Sequence, residues 1–168
     1  MEQKARMKNP IDRVWQVVEK AGICMFVSCS DDTVRARPLE ARPNREENAI
    51  YFLIDARGTK DDEIAVHPEI CLVFIDPEEK VYLSISGAAQ CRRDTTKAKE
   101  LWNREQFAWW PAGPSDDNVR VMRVKPEFAE FWDGPASRET VKYEFAVALS
   151  TGKQPNLGEN RKTKVAME

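Results

Sequence analysis

Apolar residues fall at helical spacing near the start of the chain and alternate with polar ones in most later stretches. Ile11, Val14, Trp15 and Val18 share one helical stripe, and Pro10 suits a first turn. A helix is therefore predicted over residues 10–20, ended by Ala21-Gly22. Residues 23–30 read as a buried strand, Asp31-Asp32 as a turn and residues 33–39 as a returning strand. Pro38 places an end, an edge or a bulge in that second strand. Residues 41–48 are polar and loop-like, 51–55 form a third strand, and 60–67 a short helix. Residues 69–75 read as another buried strand, followed by an Asp76-Pro77-Glu78-Glu79 turn. In the long strand over 80–91, Val81, Leu83 and Ile85 make one face and the uncharged Tyr82, Ser84 and Ser86 the other. Neither face reads as a solvated charge row, so both are expected to be covered. Gly87 implies a bend or a close backbone approach. A helix over 94–107 carries Ala98, Leu101 and Trp102, and an aromatic, breaker-rich loop follows it at Trp109-Trp110-Pro111. Residues 119–132 read as the last strand, broken near Pro126, and residues 138–150 as a closing helix.

Six short strands with few helices predict an α+β, mainly β fold: a small antiparallel barrel with flanking helices. No Gly-x-Gly-x-x-Gly supports a doubly wound sheet instead. The 168 residues suit one core, assigned here to residues 1–150, with a polar tail over 151–168.

Charge is plentiful but balanced at a net −2, without a basic stripe, which gives no reason to expect nucleic acid. No apolar run reaches membrane-spanning length, and the N-terminus lacks the apolar stretch of a signal peptide, so a cytoplasmic protein without membrane contact is expected. Cys24, Cys29, Cys71 and Cys91 form no Cys-x-x-Cys pair. They read as buried free thiols, and no metal site is expected. His67, the only histidine, precedes Pro68 at a helix end and reads as a capping or packing residue. With no nucleophile elbow in view, no catalytic residue is assigned.

The candidate chemistry starts from the stretch Ala49 to Lys60. It reads as a buried strand, a turn at Gly58 and a helix start with Thr59 as N-cap. Such a helix start can hold an anion, and Arg57 and Lys60 add positive charge beside it. On local features alone a second reading stands: Asp61, Asp62 and Glu63 satisfy the helix end by themselves.

The order of these elements, with Arg35-Ala36-Arg37-Pro38-Leu39, Tyr51-Phe52-Leu53-Ile54, Thr59-Lys60, Phe74-Ile75-Asp76-Pro77, Tyr82-Leu83-Ser84-Ile85-Ser86-Gly87-Ala88, Leu101-Trp102, Trp109-Trp110-Pro111, Arg123-Val124-Lys125-Pro126 and Phe131-Trp132-Asp133, resembles one family. The chain is similar to the pyridoxamine 5′-phosphate oxidase-like flavoproteins, and most to their general stress protein 26 branch. The resemblance covers about residues 10–133. It implies a six-stranded antiparallel split β-barrel with flanking helices, forming a homodimer with FMN, or else FAD, at the interface. It also implies that Arg37 and Lys60 bind the cofactor phosphate, helped by Arg35 and Thr59 and flanked by Pro38 and Leu39. The backbone of Leu53 and Ile54 would face the flavin ring, Tyr82 and Ser86 would lie near the ring or ribityl chain, and Trp109 and Trp110 would cover the site from the partner chain. The implied activity is that of a stress-related oxidoreductase.

Other readings of the same residues stay open. Arg35 and Arg37 could merely blunt an edge strand, Trp109 and Trp110 could plug a dimer seam, and the Tyr82–Ser86 face could be a dimer surface without ligand. A flavin carrier or sensor without turnover, a barrel that binds no cofactor, and a barrel binding FAD, haem or a deazaflavin are the alternatives. The family's oxidases carry a C-terminal Arg-x-His segment that this chain lacks, which argues against vitamin B6 oxidation. Glu40 also stands where the oxidase pattern has lysine, removing a positive charge near the phosphate.

Overall fold

The chain enters its first helix, α1 (Pro10–Ala21), through an Asn9 cap whose side chain accepts the Ile11 N–H at 2.9 Å. Val14, Trp15, Val17 and Val18 are the buried stripe, and Gly22 leaves the helix at φ 66 with its N–H on the Val18 carbonyl. The computed structural model describes residues 9–31, 33–58, 60–133, 138–156 and 161–167. Then come β1 (Ile23–Ser30), β2 (Thr33–Glu40), β3 (Arg42–Asn44), β4 (Ala49–Asp55), α2 (Lys60–Val66), β5 (Glu69–Asp76) and β6 (Val81–Arg92). The chain continues through α3 (Thr95–Leu101), a 3-10 turn (Arg104–Ala108), β7 (Val119–Asp133), α4 (Arg138–Thr151) and β8 (Arg161–Ala166).

The strands form one sheet in the order β2-β1-β5-β6-β7-β4-β3, every ladder antiparallel, with β8 on the far half of β7. β7 is the spine. One edge runs along β6, while the other pairs first with β4 and then, from Phe128 to Asp133, with β8. The sheet curls until Phe26 of β1 meets Phe52 of β4 edge to face, ring centroids 6.0 Å apart. The interior is filled by alternate residues of the strands, among them Phe26, Phe52, Phe74, Leu83, Ile85 and Met122. The barrel does not close: β2 and β4 approach without a ladder, and no strand among the described residues pairs with the outer edge of β4 beyond Tyr51.

The six expected strands are present, and two short ones are added. β3 lies in the stretch read as loop, because Arg42, Pro43 and Asn44 pair with Tyr51, Ile50 and Ala49. β8 lies in the stretch read as polar tail. Its lysines face out, but Val165 and the adjacent Met167 enter the core, too few buried positions for the alternation to stand out. β7 runs through Pro126 as one strand, but its ladder to β6 is irregular there: the register shifts between Ser86 and Gly87, leaving Glu127 unpaired, and Gly87 lies opposite Pro126, where a β-carbon would come within 2.2 Å of the Lys125 carbonyl oxygen. The helix expected over 94–107 is two pieces. α3 stops at Trp102, and Asn103 begins a new turn by capping the Glu105 N–H at 2.9 Å. Cys24 is buried and its thiol is pushed up to about 12 by that burial. Cys71 and Cys91 are half-buried and Cys29 is exposed, so only one thiol is as enclosed as expected.

Among the described residues, no helix is long and apolar enough to cross a membrane, and no three His, Cys, Asp or Glu side chains gather as metal ligands.

Candidate functional site

β1 and β2 pair so that Arg37 stands opposite Phe26 and Arg35 opposite Ser28. Phe26 points into the barrel, so both arginines lie on the interior side of an edge strand, at the mouth of the open seam. There they meet α2. The Glu63 carboxylate accepts from Arg37 Nη2 at 2.8 Å and lies 3.6 Å from Arg35 Nη1. Arg37 Nη2 also donates to Ser28 Oγ at 3.0 Å. The Glu63 side chain is only 8% exposed, so this is an enclosed polar cluster, in which electrostatic interactions gain strength.

Glu63 sits one helical turn after Lys60, so the fold brings the helix that Lys60 opens beside β2, although the two are far apart in sequence. The side chain of Lys60 and the whole of Thr59 lie outside the described residues. Arg57 does not add free charge here. It turns back onto Asp55, with Nε 2.9 Å from Oδ1, and holds that carboxyl down at about 2. Gly58 makes the expected turn, its N–H on the Asp55 carbonyl at 3.2 Å. Glu40, the departure from the oxidase pattern, pairs with Arg42 at 3.0 Å rather than with the Arg35–Arg37 cluster.

Leu53 and Ile54 come after the last residue of β4 that β3 covers, so their backbone borders the open seam. Ile54 is buried in the barrel, and Leu53 packs on a second apolar cluster of Ala49, Tyr51, Ala98, Trp110, Val119 and Val121 outside it. Leu39 is half-buried against the core and Pro38 is exposed on the edge strand.

The remaining candidates lie elsewhere. Tyr82 and Ser86 are exposed on β6, on the opposite face of the sheet from Leu83 and Ile85. Within one chain they face away from the arginine mouth. Trp110 is 6% exposed, its ring 5.9 Å from that of Trp102 in the second cluster, so it is a packing residue of its own chain. Trp109 beside it is 73% exposed. Trp132 is half-buried outside the core with Lys162 Nζ 5.3 Å from the ring centroid. The structure thus gathers Arg35, Arg37, α2 and the β4 edge, and leaves Tyr82, Ser86 and Trp109 on other surfaces.

Sequence reasoning missed Ser28 and Glu63. The signal was there for Ser28: a polar residue inside an apolar strand, paired across a two-residue turn with arginines, needs a polar partner. Glu63 was read only as one of three helix-start acids.

The family model for pyridoxamine 5′-phosphate oxidase-like proteins matches residues 9–156. Solved structures share the fold. A putative general stress protein 26 from Jannaschia sp. CCS1 superposes with a TM-score of 0.69 at 21% identity, covering 92% of this chain and 96% of that one. The general stress FMN/FAD binding protein of Xanthomonas citri gives 0.66 at 20% identity, covering 75% and 89%. A pyridoxamine 5′-phosphate oxidase-related, FMN binding protein of Nostoc punctiforme gives 0.57 at 13% identity, covering 99% and 100%. No curated protein matches the sequence. With nearly its whole length matched and the open seam of an unclosed barrel on view, the chain belongs to the pyridoxamine 5′-phosphate oxidase-like family.

Proposed function

We propose that this protein binds FMN as a homodimer and acts as a flavin-dependent oxidoreductase. One observation carries the reading: two guanidinium groups and the helix opened by Lys60 converge at the mouth of a seam where the outer edge of β4 beyond Tyr51 has no ladder partner among the described residues. That donor set fits a phosphate-bearing ring system. Arg37 and Arg35 would take the phosphate, their unshared N–H groups supplementing the bonds they make to Glu63 and Ser28. The free backbone edge at Leu53 and Ile54 would meet the polar edge of the ring. Flavin binding by the Xanthomonas and Nostoc proteins of the same fold supports the choice of cofactor. Bound flavin would supply the electron transfer, and the chain would orient and enclose it.

The homodimer is inferred from what one chain leaves open. Ile23, Met25, Val34, Ile75, Tyr82 and Phe128 are all exposed on the outer face of the sheet, and apolar residues gathered on one face are what an interaction surface presents. A second copy on this face would bury it and bring Tyr82, Ser86 and Trp109 to the seam of its neighbour.

The test is an absorption spectrum of purified protein before and after adding FMN, and then NADH or NADPH. A flavin spectrum bleached by the nicotinamide and restored by an acceptor is the expected result. Bound flavin that is never reduced would leave a carrier or sensor; a protein that takes up no flavin would overturn the reading. Arg37→Ala should weaken FMN by about 1.5–3 kcal/mol, roughly tenfold to a hundredfold, as loss of a charge-assisted hydrogen bond. Unchanged affinity in a folded Arg37→Ala protein would exclude this mouth as the phosphate site.

A further inference from the structure

A second cluster of cationic side chains lies away from the seam, under α3. Tyr51, Gln90, Arg92, Lys97, Val121 and Arg123 line a cavity of about 230 Å³. The register explains the grouping: Arg123 of β7 stands between Tyr51 of β4 and Gln90 of β6, and Arg92 pairs with Val121 one step further. α3 lays Lys97 above, its Nζ 5.0 Å from the Tyr51 ring centroid. Tyr51 belongs to the outer apolar cluster, whereas Arg37 lies on the interior side of β2, so the two sites open on different faces.

The cations here are not equally satisfied. Lys97 is held by Glu47 at 3.0 Å and Glu100 at 2.7 Å, and Arg92 by Asp94 at 2.9 Å. The Glu47 carboxylate also accepts a hydrogen bond from the Tyr51 hydroxyl. Arg123 is half-buried: it donates to the Glu47 carbonyl oxygen at 3.2 Å, hydrogen-bonds the Tyr51 hydroxyl and shares the nearby Glu47 carboxylate with Lys97. A guanidinium has five N–H donors, more than these partners take up. The space holds about seven waters, enough for a small anion and too little for a nucleotide or a flavin.

We propose that this cavity binds a small dianion, a phosphate or a short dicarboxylate. Arg123 grips it with its fork, Arg92 swings in from the rim, where its side chain is 71% exposed, and the exposed Gln90 amide donates from the wall. The site is independent of flavin binding and stands or falls separately.

The experiment is an NMR titration of isotope-labelled protein already saturated with FMN if it takes up flavin, using inorganic phosphate in one arm and succinate in the other. Saturable shifts confined to the amides of Gln90, Arg92, Val121 and Arg123 are expected in at least one arm, and the arm that saturates lower names the chemistry. Arg123→Gln, which keeps a donor for the Glu47 carbonyl, should weaken binding about tenfold or more, and Arg92→Ala on the exposed rim should weaken it less, both with FMN uptake unchanged. No shift with either anion in the millimolar range overturns the proposal. Shifts centred on β2 and α2, or shifts untouched by both substitutions, overturn it as well.

Discussion

Replacing Gly87 by alanine tests the reading of the β6–β7 ladder directly. The added β-carbon would lie 2.2 Å from the Lys125 carbonyl oxygen, 3.0 Å from its carbon and 3.2 Å from the Pro126 Cα. A carbon and a carbonyl oxygen ordinarily approach to about 3.3 Å, so the strands must part by roughly 1 Å. All three obstructing atoms are backbone, and no rotamer change can make room. Overpacking of this kind costs about 1–3 kcal/mol, and the restricted unfolded chain returns about 0.4–1 kcal/mol. Because the longest ladder of the sheet must open beside a rigid proline, the net loss should fall near 2 kcal/mol, lowering Tm by about 4–8 °C for a chain of this size. Gly58→Ala is the control. Its nearest obstacle is the Asp55 carbonyl oxygen at 3.5 Å, an ordinary contact, so the change should stay within about 0.5 kcal/mol. Thermal unfolding monitored by far-UV circular dichroism reads both variants. If Gly87→Ala melts within about a degree of the wild type, the close approach of the two strands is wrong.

Three further outcomes rest on particular contacts. Met167→Ala should cost about 2–5 kcal/mol, because Met167 is 3% exposed in the core; a denaturant midpoint equal to wild type would show that the segment from β8 to Met167 does not seal the barrel. The Asp55 carboxyl is held at about 2 instead of 3.8 by Arg57, so its contribution is present above pH 3.8 and is lost as pH falls through about 2. Asp55→Asn should therefore shallow the fall of Tm across that acid window, and parallel pH profiles for the two proteins would contradict the pairing. A thiol reagent should modify the exposed Cys29 first and the enclosed Cys24 only on unfolding; a fast phase that survives Cys29→Ser would place the reactive sulfur elsewhere.

Much of the site was legible because its parts are local. Arg35, Arg37, the β4 run and the helix opened by Lys60 each announce themselves within a few residues, and Gly87 was marked as a close approach before its neighbour was known. Glu63 and Ser28 were not legible as partners of Arg37, since nothing in a sequence links residues 28, 37 and 63 until β1, β2 and α2 meet. Trp109 and Trp110 are neighbours of the same type, and only packing separates the exposed indole from the buried one. β3 and β8 failed for the related reason that short, polar strands carry too few alternations to stand out.

The amino-acid sequence alone determined the strands that alternate strongly, the helix stripe of α1 and the antiparallel class, since side-chain period and turn chemistry act between near neighbours. The tertiary structure alone decided which strands share an edge, where the barrel stays open and which cations keep a counter-charge, because burial and Coulomb energy depend on distances in space that residue numbers do not encode.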